Sequence, residues 1–259
     1  MHKFSYSEAK RGENFLPYKT VNILGVNVAS ITMAEAVEEA ERFMDDADGH
    51  HLIATANAEM IMMATYDESL RDILNSASLV VPDGAGTVWA AHHLHHEMPE
   101  RVAGYDLVQE ILREAPSRHR RVFFFGSAPG VSDAAKHAAE EKYPGIDIVG
   151  TRNGYFTEKD NEKIVAEIKK ANPDLLIAAL GVPKQEKWLK KYQRDIGVPL
   201  AIGVGGTLDV MAGIVPRAPK WMQRAKLEWL FRGLRQPKRI GRLMALPKFV
   251  MKVHASRKS

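Results

Sequence analysis

The sequence contains no cysteine, which excludes disulfide bonds, thiolate metal ligands and a cysteine nucleophile. No stretch approaches the roughly 20 apolar residues of a transmembrane helix, so none is predicted. The first fifteen residues have no apolar core, and we therefore expect no secretory signal there. These absences suit a cytoplasmic protein, which could meet a membrane only from its surface.

The net charge of +4 is unevenly distributed along the 259 residues. Residues 217–259 hold 13 Lys and Arg and one acid, Glu228, a net charge of +12. Residues 1–216 hold 23 Lys and Arg against 31 Asp and Glu, a net charge of −8. An acidic body with a basic tail predicts that the tail meets an anionic surface or a nucleic acid.

Short apolar runs rich in β-branched residues alternate with helical patterns from residue 18 to residue 216. This alternation predicts an α/β domain with a mostly parallel sheet and helices on both faces. Before it, residues 1–17 are predicted to form a flexible arm; after it, residues 217–259 are predicted to form a basic, amphipathic, helical appendage. Residues 59–74 are expected to form a single helix.

Ligands of such sheets bind beyond the carboxyl ends of the strands, where loops carry glycine or polar residues. One of these loops lies in VVPDGAG, residues 80–86. Asp83 could be the N-cap of the next helix, with its carboxylate accepting backbone N–H groups. Alternatively, it could accept a proton from a sugar hydroxyl group, with glycines leaving room for the ligand.

Two further loops offer hydrogen-bonding side chains. In TANAE, residues 55–59, Thr55 and Asn57 follow an apolar strand and could bind ligand hydroxyl or amide groups. In GVPKQE, residues 181–186, Gln185 could bind a base, sugar or phosphate, or could instead satisfy local backbone groups.

Two glycine loops are similar to phosphate-binding turns, although each could be an ordinary turn between strand and helix. GSAPG begins at Gly126, and GVGGT contains Gly205 and Gly206. Neither has the dinucleotide fingerprint or a Walker lysine, and HHLHH at residues 92–96 lacks a third ligand at zinc-site spacing. The sequence therefore predicts neither a cofactor nor a metal.

The start of the basic tail carries aromatic and apolar residues at helical spacing. Trp221 and Trp229 recur along one side, and Leu230 and Phe231 widen it. This composition is typical of a helix at a membrane interface. A helix packed on its own domain, with a solvated basic face, is the alternative.

Five ordered blocks, TANAE, VVPDGAG, RVAGYD, GVPKQE and a C-terminal stretch over residues 203–242, together resemble the WecG/TagA/CpsF family of bacterial glycosyltransferases. The resemblance covers about residues 21–242 and implies a Rossmann-like body. It implies inverting, metal-independent transfer of N-acetylmannosamine or a related sugar from a UDP donor to a polyprenyl-diphosphate-linked amino sugar, in teichoic acid or surface polysaccharide synthesis. It also implies a cytoplasmic enzyme, peripheral on the inner face of the cell membrane and bound to its anionic surface.

The resemblance implies roles for individual residues as well. Asp83 falls on the catalytic position. The implied substrate-binding residues are Thr55, Asn57, Arg101, Gln185 and, in the appendage, Arg224, Arg232 and Arg235.

A nucleotide-sensing protein with a tail that grips nucleic acid is the competing interpretation. The aromatic residues in the tail and the absence of a nucleic-acid-binding motif argue against it. We therefore expect no nucleic acid among the partners. The sequence leaves the oligomeric state open, a homo-oligomer included.

Overall fold

A computed structural model describes residues 18–219, 221–222, 228, 231 and 245–257 of the chain. The strands are β1 (Lys19–Ile23), β2 (Val26–Ser30), β3 (His51–Ala56), β4 (Leu79–Pro82), β5 (Arg121–Gly126), β6 (Asp147–Arg152), β7 (Leu175–Ala179) and β8 (Leu200–Gly203). The α-helices are α1 (Met33–Asp45), α2 (Ala58–Ala64), α3 (Glu68–Asn75), α4 (Ala85–His93), α5 (Gly104–Glu114), α6 (Val131–Lys142), α7 (Asn161–Ala171), α8 (Lys184–Ile196), α9 (Thr207–Met211) and α10 (Ala245–Ser256). A short 3-10 helix, Glu158–Asp160, precedes α7.

Six strands form one parallel sheet in the order β4-β3-β8-β7-β5-β6, and β1 pairs with β2 as an antiparallel hairpin. Because all six strands run the same way, their carboxyl ends meet at one edge. The predicted α/β fold with a parallel sheet is confirmed. None of the helices in the described part of the chain is long and apolar enough to cross a membrane.

Helices cover both faces of the sheet, as predicted. Alternate strand residues point to opposite sides, so Phe124 packs with helices α1, α5, α6 and α9, whereas Phe123 and Phe125 pack with α7 and α8. Since both layers bury apolar side chains against the strands, they fix the positions of the loops at the carboxyl edge.

A third apolar cluster joins the hairpin to helices α2, α4 and α10. Within α10, Phe249 and Val253 are fully buried in this cluster. Part of the basic tail is therefore a helix packed on its own domain, as in the alternative above. The predicted division at residues 216 and 217 stays a prediction.

The prediction of a single helix over residues 59–74 is wrong. Helix α2 ends with Thr65 as its C-cap, and α3 begins after Asp67, whose carboxylate accepts the Leu70 N–H at 3.0 Å. An aspartate that caps a new helix competes with continuation of the preceding one. Elsewhere, Thr32 is the N-cap of α1 and forms a capping box with Glu35.

Candidate active site

Thr55 lies at the end of β3 and joins two neighbouring strands. Its side chain is buried, and its hydroxyl group donates to the carbonyl oxygen of Gly203, at the end of β8, at 3.0 Å. Gly104, at the start of α5, packs so closely on Thr55 that a Cβ atom there would lie 2.8 Å from the Thr55 Cγ2 atom. Thr55 therefore connects β3, β8 and α5 at the carboxyl edge of the sheet.

Asn57 follows β3 and is the N-cap of α2, since its Oδ1 atom accepts the Met60 N–H at 3.0 Å. The side chain remains partly exposed. Its Nδ2 group makes no hydrogen bond to the described residues and offers two donors at the carboxyl edge of the sheet. Capping thus fixes the orientation of the amide and leaves its donors for a ligand.

Asp83 follows β4 and is held in place by its backbone. Its N–H group donates to the carbonyl oxygens of Ala56 and Val81, each at 3.0 Å. The N-cap of α4 is Gly84, at φ +89°, so the interpretation of Asp83 as the cap residue is wrong. A Cβ atom on Gly84 would lie 3.7 Å from the Asn57 Cβ atom, so the Asp83 and Asn57 loops are neighbours.

Arg101 lies beside the same strand end, because the N–H group of Val102 donates to the carbonyl oxygen of Pro82 at 3.0 Å. Its guanidinium group lies 3.4 Å from Glu228 and 3.9 Å from Asp106. Arg217 pairs with the same two acids, at 2.7 Å from Asp106 and 3.7 Å from Glu228. We call these four residues the ion cluster; it links the body of the protein to the basic tail.

The last residue of β5 must be glycine. Gly126 adopts φ +138°, and a Cβ atom there would lie 2.3 Å from the Ala179 carbonyl oxygen. The next residue, Ser127, donates its backbone N–H to that oxygen at 2.9 Å. Its hydroxyl group donates to Asp209 of α9 at 3.1 Å. The loop after β5 is therefore joined to α9, the helix that follows β8, at the carboxyl edge.

Gln185 is fully buried between two loops and satisfies their backbone groups, which matches the local alternative given above. Its Oε1 atom accepts the N–H groups of Gly181, at 3.1 Å, and Gly205, at 3.0 Å. The Gly205 N–H therefore points at Gln185 and not toward a ligand. Ligand contacts by Gln185, Gly126, Gly205 and Gly206 stay predictions.

Sequence reasoning missed Glu186, the residue after Gln185. Its side chain is fully buried, and its Oε1 atom accepts the Gln185 Nε2 group at 2.7 Å. Burial raises the pKa of Glu186 to about 7. Sequence reasoning also missed Ser127 and Asp209. The only sequence signal for all three residues was their position in strand-end loops.

Arg224, Arg232 and Arg235 lie outside the described residues, as do Trp229 and Leu230 of the predicted apolar side. Within the described ranges, no group of three or more His, Asp or Glu side chains could hold a metal ion. In the HHLHH segment, His92 bonds through its ring to the Met98 carbonyl oxygen at 3.1 Å. This histidine therefore has a local structural partner.

A parallel α/β sheet with an acid, an amide and glycine loops at its carboxyl edge is compatible with several classes of transferase, and sequence comparison identifies the class. The model of the glycosyl transferase WecG/TagA/CpsF family matches residues 21–259. The chain therefore belongs to this family of glycosyltransferases. The match extends past the predicted limit at residue 242 and includes α10.

Individual relatives are similar over most of the chain. They include the N-acetylglucosaminyldiphosphoundecaprenol N-acetyl-beta-D-mannosaminyltransferases of Staphylococcus aureus strains MW2, NCTC 8325 / PS 47 and COL. Each is 36% identical over 234 residues, which cover 90% of this chain and 91% of the relative.

Proposed function

We propose that this protein transfers N-acetylmannosamine, or a closely related sugar, from a UDP donor to polyprenyl-diphospho-N-acetylglucosamine. The product would serve teichoic acid or surface polysaccharide synthesis. The observation that carries this proposal is the 36% identity to N-acetylmannosaminyltransferases across 90% of the chain. The convergence of the Thr55, Asn57, Asp83 and Arg101 segments at one end of the sheet supports it.

Asp83 would act as the general base. The name of the relatives specifies a β-D-mannosaminyl product, which corresponds to inversion when the donor sugar is α-linked to its diphosphate. Inversion requires a base that takes the proton of the acceptor hydroxyl group on the face opposite the leaving group. The partly exposed Asp83 side chain, on a backbone fixed by two hydrogen bonds, could present a carboxylate there. The neighbouring Asn57 Nδ2 group would orient a sugar hydroxyl group.

Negative charge grows on the departing UDP, and we propose that the protein neutralises it without a metal. Arg101 is the described arginine beside the Asp83 loop, and its long contacts with Glu228 and Asp106 would let its planar guanidinium group turn toward a diphosphate. Arg224, Arg232 and Arg235 would add to it. The loops that contain Gly126, Gly205 and Gly206 would border the nucleotide.

A polyprenyl acceptor resides in a membrane, so the enzyme would work as a peripheral protein on the inner face of the cell membrane. The basic tail would bind the anionic surface there. The ion cluster supports a functional link between tail and site, because Glu228 and Arg217 of the tail contact Arg101 and Asp106 of the body. A homo-oligomer is compatible with this arrangement, and we propose no nucleic acid as a partner.

The test is to incubate the protein with a short-chain lipid-diphospho-N-acetylglucosamine and a panel of UDP-sugars, and to measure UDP release. We expect release with UDP-N-acetylmannosamine or a close relative, and equal rates in excess EDTA. Absence of release across the panel would refute the proposed function. A requirement for Mn²⁺ or Mg²⁺ would refute metal independence alone. Binding of DNA as tight as that of anionic liposomes, at matched salt, would favour the competing interpretation.

A further inference from the structure

Glu186 has an environment that lowers the stability of the fold. The carboxyl group is fully buried in the first turn of α8, and its Oε2 atom has no hydrogen-bond partner among the residues that the structure describes. Burial is the main cause of its raised pKa, and hydrogen bonds from Gln185 and its own backbone N–H oppose the shift. A half-satisfied buried carboxyl group costs free energy of folding, and such costs are found at functional sites.

The Gln185 amide can in principle turn either its oxygen or its NH2 group toward a given partner. Here the oxygen faces two backbone donors, the N–H groups of Gly181 and Gly205. An NH2 group in that position would place donors against donors. Glu186 favours the orientation with the oxygen toward the two backbone donors, because its Oε1 atom accepts a hydrogen bond from Gln185 Nε2 at 2.7 Å. This holds when Glu186 is neutral, with its proton on Oε2, and when it is ionised.

We propose that Glu186 is a positioning residue for the transfer reaction, which orients the Gln185 amide so that it holds the loops after β7 and β8 together. The inference rests on the proposed function, because the loop after β8 borders the proposed donor site. It assigns Glu186 no contact with substrate.

Close packing around the pair supports this inference. A Cβ atom on Gly203 would lie 2.8 Å from Gln185 Nε2 and 3.1 Å from Glu186 Oε1. The Gly203 carbonyl oxygen in turn accepts the Thr55 hydroxyl group. An altered Gln185 orientation would therefore disturb the ends of β8 and β3 as well as the loop after β7.

Three variants separate positioning from a general effect on stability. Glu186→Met has nearly the same volume and removes the acceptor, whereas Glu186→Gln keeps an acceptor oxygen. Gln193→Met is the matched control: Gln193 is a buried polar residue on the same helix, and its Nε2 atom donates to the His51 carbonyl oxygen at the opposite end of the sheet. Amide hydrogen exchange is followed by NMR on protein labelled with ¹⁵N-glycine, and kcat is measured on the lipid-linked acceptor.

We expect Glu186→Met to accelerate amide exchange at Gly181 and Gly205 about tenfold more than it accelerates exchange in the rest of the protein. It should also lower kcat by roughly tenfold. Glu186→Gln should keep the exchange rates and kcat within about threefold of the wild-type values. Gln193→Met should lower the free energy of unfolding without changing exchange at the two glycines or kcat. In a protein that already carries Gln185→Met, Glu186→Met should cause little further loss of kcat. If Glu186→Met does not fold, Glu186→Asp, which retracts the acceptor by one methylene group, replaces it with the same expectations.

Unchanged exchange at both glycines, or unchanged kcat despite faster exchange, would overturn the inference. Failure of the proposed function is a separate result, because the wild-type protein would then release no UDP with any donor in the panel.

Discussion

The Thr55 hydroxyl group donates to the Gly203 carbonyl oxygen at 3.0 Å, and this bond joins the carboxyl ends of β3 and β8. Thr55→Val keeps the shape of the side chain and removes the donor. We expect the free energy of unfolding in urea to fall by about 1–3 kcal/mol, because a buried hydrogen bond is lost, and kcat to fall with it. Thr55→Ser keeps the hydroxyl group and should retain most activity. A Thr55→Val protein as stable as the wild type would show that the bond contributes nothing.

Asp83→Asn tests the general base directly. The change preserves size and removes the proton acceptor, so kcat should fall by about 10²–10⁴-fold while the fold stays intact by circular dichroism. Asp72→Asn is the control, since Asp72 is an exposed acid on α3 and its loss changes net charge equally. Activity of Asp83→Asn within a few-fold of the wild type would exclude Asp83 as the base.

The raised pKa of Glu186 predicts a pH dependence of stability. Its ordinary value is 4.5 and its value in the fold is about 7, so the folded protein binds more protons between these pH values than the unfolded chain. The stability of the folded protein is therefore highest, as far as Glu186 is concerned, below about pH 4.5, and it falls as the pH rises through about 7 because the buried carboxyl group must then ionise. Glu186→Gln cannot ionise, so its stability relative to the wild type should increase from pH 5 to pH 8, by urea denaturation. A difference independent of pH would contradict the raised pKa.

Local patterns were sufficient to predict the sheet and its layers, because alternation of apolar runs and helices is a property of consecutive residues. They failed where the outcome depends on distant segments. Gln185 could not be assigned its bonds, since Gly205 reaches it only after β8 has joined the sheet. Likewise, Arg101 and Glu228 are 127 residues apart, and nothing near either residue indicates the other.

The ion cluster predicts that Glu228, the sole acid of residues 217–259, helps to hold the tail on the body. Glu228→Gln would leave Arg101 and Arg217 with less opposing charge. The two guanidinium groups are partly exposed and lie at the long distances of 3.4 and 3.7 Å from the buried Glu228 carboxylate, so we expect a loss of about 1 kcal/mol, or roughly fivefold in kcat/KM. A water-soluble acceptor analogue removes membrane binding from the measurement.

The control for this change is Glu68→Gln, which removes an exposed partner of Arg71 on α3. It should leave kcat/KM unchanged. Equal effects of the two substitutions would show that the cluster has no special role.

Truncation of the basic tail before Lys220 would not be a clean test of membrane binding by the tail. Truncation would remove α10 and uncover the surface on which Phe249 and Val253 are buried. Loss of liposome binding could then reflect misfolding. Substitutions on the outer side of α10 avoid this problem, because Val250 and Met251 are 44% and 64% exposed.

Val250→Ser combined with Met251→Ser should weaken flotation with anionic liposomes by roughly tenfold, because less apolar surface enters the interface. Tyr155→Ser is the control: Tyr155 is 73% exposed in the loop after β6, at the edge of the sheet opposite β4, so its loss should leave flotation unchanged. Raising the salt concentration should only partly release the wild-type protein, since apolar insertion is not screened as charge attraction is. If the double variant floats as well as the wild type, α10 does not insert, and the anchor must be sought elsewhere in the tail. Complete release by salt would instead mean that charge alone holds the protein at the membrane.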